Sequence, residues 1–162
     1  ELDIRMAYGD DGLQHMLLNG EDVTAEIRRP EISLYASDVS AMAEVREFLM
    51  EMQRDMARKN CVIMDGRDIG TIVLPNAEVK IFLTASAQER ARRRFLELQK
   101  RGMEKSYEDI LAEQEQRDYN DTHRAVAPLK PADDSVIVDT TELDFEQSKE
   151  KILSVIREKL AL

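Results

Sequence analysis

The sequence predicts an α/β fold: a parallel sheet covered by helices, a small antiparallel ribbon ahead of it, and a charged helical arm within it. Three observations predict this. Short continuous apolar runs, CVIMD at 61–65, EVKIFLTAS at 78–86 and SVIVDTT at 135–141, are separated by helical stretches, as in sheets buried on both faces. The helix starts are marked by SAQE, SYED and DFEQ. Two short runs near the beginning, 3–8 and 14–18, bracket turn residues.

Taken in order, LDIRMA and QHMLL read as two strands joined by YGDDG, and NGEDVT reads as a further turn. From Ser40 the period changes. Val45, Phe48, Leu49, Met52 and Met56 share one face of a helix spanning about 41–59. The run at 61–65 reads as the first core strand and that at 78–86 as the second. Ser86 opens the next helix with Glu89 placed to complete a capping box, and Gly102 marks its end. Ser106 caps a second helix of the arm. After the strand at 135–141, Asp144 caps a last helix with Ile152, Leu153, Ile156 and Leu160 on one face. Between Arg90 and Asp134 the sequence is highly charged and poor in apolar residues, which reads as a mobile arm with little surface for firm docking.

The 162 residues suffice for one domain with a core, or a core plus a small lobe. A composition of 43% hydrophobic and 35% charged residues reads as globular rather than disordered. The net charge of −10 argues against a nucleic-acid polymer as partner. It leaves room for a single nucleotide held by a local arginine cluster. Cys61 is the single cysteine, and no apolar stretch approaches the roughly 18 residues of a membrane span, so the expected location is cytoplasmic. The chain does not begin with Met and enters a strand at once, so residues are expected to precede Glu1.

Several charged groups stand out. Arg90, Arg92, Arg93 and Arg94 crowd one stretch, with Arg90 and Arg94 on a common helical face. They read either as a solvated face paired with Glu89 and Glu97 or as a cationic clamp on a polyphosphate. Arg117, Asp121 and Arg124 fall in one helical column, either a salt-bridge ladder or a set presenting donors to a phosphate and an acceptor to a ribose hydroxyl. Arg67 and Asp68 emerge after a strand, where open α/β sheets bind ligands, and Gly66 and Gly70 leave the backbone there accessible. Ser37 and Arg46 are weaker signals. His123 has no second His or Cys nearby, so no metal site is expected. Two histidines and one cysteine supply no nucleophile with a base, which suits a reaction run by positioning and charge, such as phosphoryl transfer.

The segment DGRDIGTIVLPNAEVKIFLTASAQERARRRFLELQKRG, followed by RDYNDTHRAVAPLKPADDSVIVDTTEL, closely resembles the bacterial cytidylate kinase family. The resemblance runs from LNGEDVTAEIRRPEIS to the last helix. It implies transfer of the ATP γ-phosphoryl group, with Mg²⁺, to CMP or dCMP, yielding CDP or dCDP. It also implies a parallel-sheet P-loop kinase core at 60–89 and 135–162, a substrate-binding insert at 1–59 and a helical lid at 90–134. By motif, Ser37, Arg46 and Asp68 resemble the cytosine-reading set. A carboxylate accepts from the exocyclic amine of cytosine and repels the carbonyl of uracil. Arg67 is similar to the arginine that holds the monophosphate, Arg117 and Asp121 to the ribose-contacting pair, and Arg124 to the residue that completes the substrate set. Arg90 and Arg94 resemble lid arginines that act catalytically by closing on the transferring phosphates. Family members are expected to act as monomers, without a nucleic-acid polymer or a membrane as partner.

One feature departs from the family. The six glycines, at 9, 12, 20, 66, 70 and 102, form no GxxxxGK[ST] loop. The expectation is therefore an amino-terminally truncated cytidylate kinase, without the first strand and phosphate loop and inactive alone. The alternatives are a non-catalytic CMP-binding module or one part of a split enzyme.

Overall fold

In the computed structural model, residues 2–29, 32, 35–36, 39–40 and 42–162 are described. The chain divides into two compact units, Glu1–Leu49 and Met50–Leu162.

The first unit is built on a ribbon. Strand β1 (Ile4–Tyr8) pairs antiparallel with β2 (Gln14–Leu18), Ile4 opposite Leu18 and Tyr8 opposite Gln14. Asp11 Oδ1 accepts from the Leu13 N–H at 2.8 Å and tightens the turn between them. A short third strand, β3 (Glu21–Asp22), joins β2 where only a turn is expected from sequence. Asn19 and Gly20 make this possible. Both have positive φ, 52° and 86°, the conformation of a tight two-residue hairpin turn. Asp22 on β3 and Asp11 in the first turn both reach His15, at 2.7 and 3.3 Å.

Helix α1 (Ala43–Lys59) crosses from the first unit into the second and begins two residues after the expected start at 41, itself outside the described residues. Val45, Leu49, Met52 and Met56 are half-buried as their spacing requires, but Phe48 of the same set is 52% exposed. Arg54 fastens the second half of α1 by donating to the carbonyls of Ile72 and Val73, at 2.9 and 3.0 Å.

The strand expected at 61–65 is not formed. Those residues make no ladder, and Ile63 is 97% exposed. An apolar run becomes a strand only when a neighbouring edge accepts its backbone hydrogen bonds. Among the described residues it pairs with no other strand. The chain then enters a π-helical turn, Ile69–Val73.

The remaining two strands are parallel, as expected. Strand β4 (Ile81–Thr84) pairs with β5 (Val136–Asp139), Ile81 beside Val136 and Thr84 beside Asp139. Val138, Val73 and Ala85 are buried here. Lys80, nearly buried, bonds Asp134 at 2.7 Å and ties the start of β4 to the loop before β5.

Helices α2 (Ala87–Lys100), α3 (Tyr107–His123) and α4 (Phe145–Leu160) begin at the three expected caps. Asp144 and Gln147 complete a reciprocal box. At Ser86 only half the expected box forms. Its Oγ accepts from the Glu89 N–H, but the Glu89 carboxylate turns to Arg92 and Arg93, whose charge holds it more strongly than a neutral N–H. Within the charged arm expected at 90–134, the two helices pack on each other. Ala91 and Leu98 of α2 and Ile110 of α3 form a buried cluster, flanked by Phe95, Tyr107 and Leu111. A small number of apolar residues suffices because all fall on the facing sides of two adjacent helices. Phe95 and Tyr107 meet edge to face at 6.4 Å.

Candidate functional site

In the second unit, Arg67, Arg90 and Arg117 meet carboxylates of α3. Asp121 lies one turn from the helix end and is 5% exposed. Its Oδ2 accepts from Arg67 Nε at 2.9 Å. Arg117 Nε stands 3.9 Å from the same oxygen. Two guanidiniums thus converge on one carboxylate, one from the loop after 61–65 and one from the preceding turn of α3. Burial and then the nearby charge of Arg67 lower the Arg117 pKa, while Asp121 and Asp118 oppose this. The centre carries more positive than negative charge.

One turn earlier, Arg90 on α2 reaches across to α3. Its Nη1 and Nη2 donate to the two oxygens of Asp118 at 2.9 and 2.6 Å, and its Nε donates to the Ala85 carbonyl at 3.0 Å. This bidentate fork raises the Arg90 pKa further. Arg94 does not join it and pairs with Glu97 of its own helix at 2.8 Å. Arg93 clamps the far side of α2, donating to the carbonyls of Thr140 and Leu143 at 2.6 and 3.2 Å. Arg92 stays with Glu89, whose carboxyl is lowered to about 2 by hydrogen bonds from Arg92 and Arg93.

Arg124 leaves the expected column. The helix ends at His123, and Arg124 is its extended cap, with ψ 143°. The chain then folds back through Ala127, whose φ is 49°. The Ala127 carbonyl accepts from Arg124 Nε at 2.6 Å, and the Asp121 carbonyl accepts from the Leu129 N–H at 2.8 Å. Arg124 Nη2 is buried and has no hydrogen-bond partner among the described residues. A buried donor of this kind carries a desolvation cost that an incoming acceptor removes. His123 stacks on Tyr119, and no group of three His, Cys, Asp or Glu among the described residues is arranged to hold a metal ion.

Asp68 precedes the π-helical turn, and its carbonyl accepts from Ile72 N–H at 2.9 Å. Of the flanking glycines, Gly66 is the one with no room for a side chain. A Cβ at Gly66 would stand 2.8 Å from Ile69 Cγ1, and Gly70 rests on the Lys80 stem. Arg46, in the first unit, donates to the Ser40 carbonyl at 3.2 Å. Ser37 lies outside the described residues. Arg67, Arg117 and Asp121 are therefore brought together, and Arg90 joins α3 through a residue the sequence did not single out, Asp118. Its only signal was adjacency to Arg117, because its partner stands 28 positions away.

Arg67 and Arg117 at Asp121, Arg90 in its fork with Asp118, and Arg124 with its buried Nη2 give α3 and the chain around it guanidiniums of the type that bind phosphate oxygens. Comparison with known proteins bears on the family. A family model described as Cytidylate kinase matches residues 1–158. A cytidylate kinase of Caldicellulosiruptor bescii is 55% identical over 145 residues, covering 90% of this chain and 64% of that protein. That of Carboxydothermus hydrogenoformans is 52% identical over 157 residues, covering 97% of this chain and 70% of the relative. That of Salmonella typhimurium is 50% identical over 161 residues, covering 99% and 70%. The chain thus spans about two thirds of the length of the curated relatives it matches.

Proposed function

The chain belongs to the cytidylate kinase family, and from that premise we propose that it binds CMP or dCMP for phosphorylation by ATP. The observation that carries this reading is the buried Asp121 carboxylate between Arg67 and Arg117. In the proposed reaction an oxygen of the CMP phosphate attacks the γ-phosphorus of ATP. A new P–O bond forms, and the bond to the ADP oxygen breaks with its electrons leaving on ADP. Such a transfer asks for charge stabilisation and alignment more than for proton transfer.

In this reading Arg67 holds the monophosphate, and Arg117 with Asp121 addresses the ribose. Arg124 offers its unpartnered Nη2 to the same ligand. Ser37, Arg46 and Asp68 read the base. Arg90 and Arg94 face the donor phosphates. Residues 1–59 act as the nucleotide-binding insert and 90–134 as the lid, on a core of 60–89 and 135–162. Mg²⁺ enters the proposal only as the companion of the donor phosphates. The working unit is a monomer in the cytoplasm, and among the described residues no helix is long and apolar enough to cross a membrane.

Calorimetric titration of the chain with CMP, and with UMP as control, tests the reading. Saturable binding of CMP and weak binding of UMP is expected. Equal or absent binding of both would overturn it. The same cluster would serve a CMP-binding module that transfers nothing, alone or as part of a split enzyme. Adding ATP and following ADP separates transfer from binding.

A further inference from the structure

The Arg90–Asp118 pair lies one turn of α3 before Asp121, and the roles proposed above make no use of the Asp118 carboxylate. All three guanidinium nitrogens of Arg90 are engaged, two by Asp118 and one by the Ala85 carbonyl. Asp118 is three residues before Asp121, so both carboxylates rise on neighbouring positions of α3. Asp118 also attracts Arg117, against the repulsion that Arg67 exerts. One side chain therefore offsets two cations, one by direct contact and one through space.

We propose that Asp118 is a resident counter-anion of the cationic cluster, a positioning residue that holds Arg90 until a phosphate competes for it and so sets how tightly the cluster takes that phosphate. This rests on the reading that the cluster binds phosphoryl groups. Without an anion, several guanidiniums drawn together repel one another, and a carboxylate among them lets the ligand-free protein fold. The same carboxylate then opposes any phosphate that arrives, so ligand-free stability and phosphate affinity trade against each other. A residue with a purely structural role would raise both or leave affinity unchanged.

The test uses the full chain and calorimetric titration with inorganic pyrophosphate, which carries the phosphate chemistry without base or sugar, and with CMP. Asp118→Asn should bind pyrophosphate about fivefold more tightly or better at low salt, the scale expected for one charge removed at this separation. The gain should shrink at about 0.5 M salt, where screening shortens the reach of the field. Arg90→Gln should weaken binding beyond the loss of one cation, because it exposes the Asp118 charge. The Arg90→Gln/Asp118→Asn double variant should recover part of that loss. Equal or weaker pyrophosphate binding by Asp118→Asn would overturn the proposal, as would binding to none of the proteins. If Asp118→Asn does not fold, the double variant against Arg90→Gln decides alone, and no recovery overturns the proposal. Tighter pyrophosphate binding without preference for CMP over UMP would support the counter-anion while removing the cytidylate reading. CMP preference with no effect of Asp118 would do the reverse.

Discussion

Arg67 and Asp121, 54 positions apart in the chain, are joined by a 2.9 Å bond from Nε to Oδ2 in which the carboxylate is buried and the guanidinium half-exposed. That asymmetry decides what its loss costs. Asp121→Asn keeps the shape and removes the charge, leaving Arg67 and Arg117 facing each other. Breaking a fully buried pair costs several kcal/mol, and partial exposure of both arginines reduces this to about 2 kcal/mol. Urea unfolding of the variant against the parent chain measures it. On the proposed function CMP affinity also falls, because the ribose acceptor and the alignment of Arg67 are lost together.

Base selection makes a separate demand. If Asp68 accepts from the exocyclic amine of cytosine, Asp68→Ala should weaken CMP binding about tenfold while leaving UMP binding nearly unchanged, the usual scale for one base-edge contact. Titrations of both nucleotides against both proteins give the ratio. Equal losses would remove Asp68 from the base-reading set.

The ribbon carries a pH dependence of its own. Hydrogen bonds to Asp22 and Asp11 raise the His15 pKa above its ordinary 6.5. Stability from this source is fully present below that value and is lost as pH climbs through the raised folded value. The opposite limb belongs to the carboxylates. Hydrogen bonds from Thr24, then His15, lower Asp22 to about 2, so its contribution is present above 3.8 and is lost as pH falls through about 2. The difference in amide exchange at β2 and β3 between the parent chain and His15→Gln should be largest at weakly acidic pH and vanish in alkali. A difference that persists in alkali would show that His15 acts there by packing alone.

The crowded arginines of α2 should separate by stability. Arg93→Ala removes bonds to the Thr140 and Leu143 carbonyls and should lower the unfolding free energy by about 1–2 kcal/mol. Arg94→Ala removes one surface pair with Glu97 and should change it by less than about 0.5 kcal/mol. Denaturant midpoints of the two variants, measured side by side, check the order.

These four adjacent arginines also mark where the sequence stops being informative. Helical spacing places Arg90 and Arg94 on one face, yet Arg90 finds a carboxylate on α3 and Arg94 finds one on its own helix. The choice depends on how α2 and α3 lie against each other, which no local pattern records. Helix starts were legible because caps are local chemistry, and Ser86, Ser106 and Asp144 all bond the N–H three residues on. The parallel pairing of the runs near 81 and 136 was legible from their continuous apolar character. The run at 61–65 has that character too and forms no ladder, because a strand is a property of two segments and the pattern describes one. Arg124 shows the same limit at a helix end. Its column position held only as long as the helix did, and the helix stopped one residue short.

The α2–α3 pair encloses its own core of Ala91, Leu98 and Ile110, and Arg90 on one helix is pinned to Asp118 on the other. Any displacement of α2 therefore carries α3 with it. Arg90, Arg117 and the Asp121 acceptor then travel together, and on the proposed function a nucleotide meets them as one surface. Encounter with such a surface has no order of arrival among its cations, so its kinetics should contain a single concerted step where independent side chains would give several.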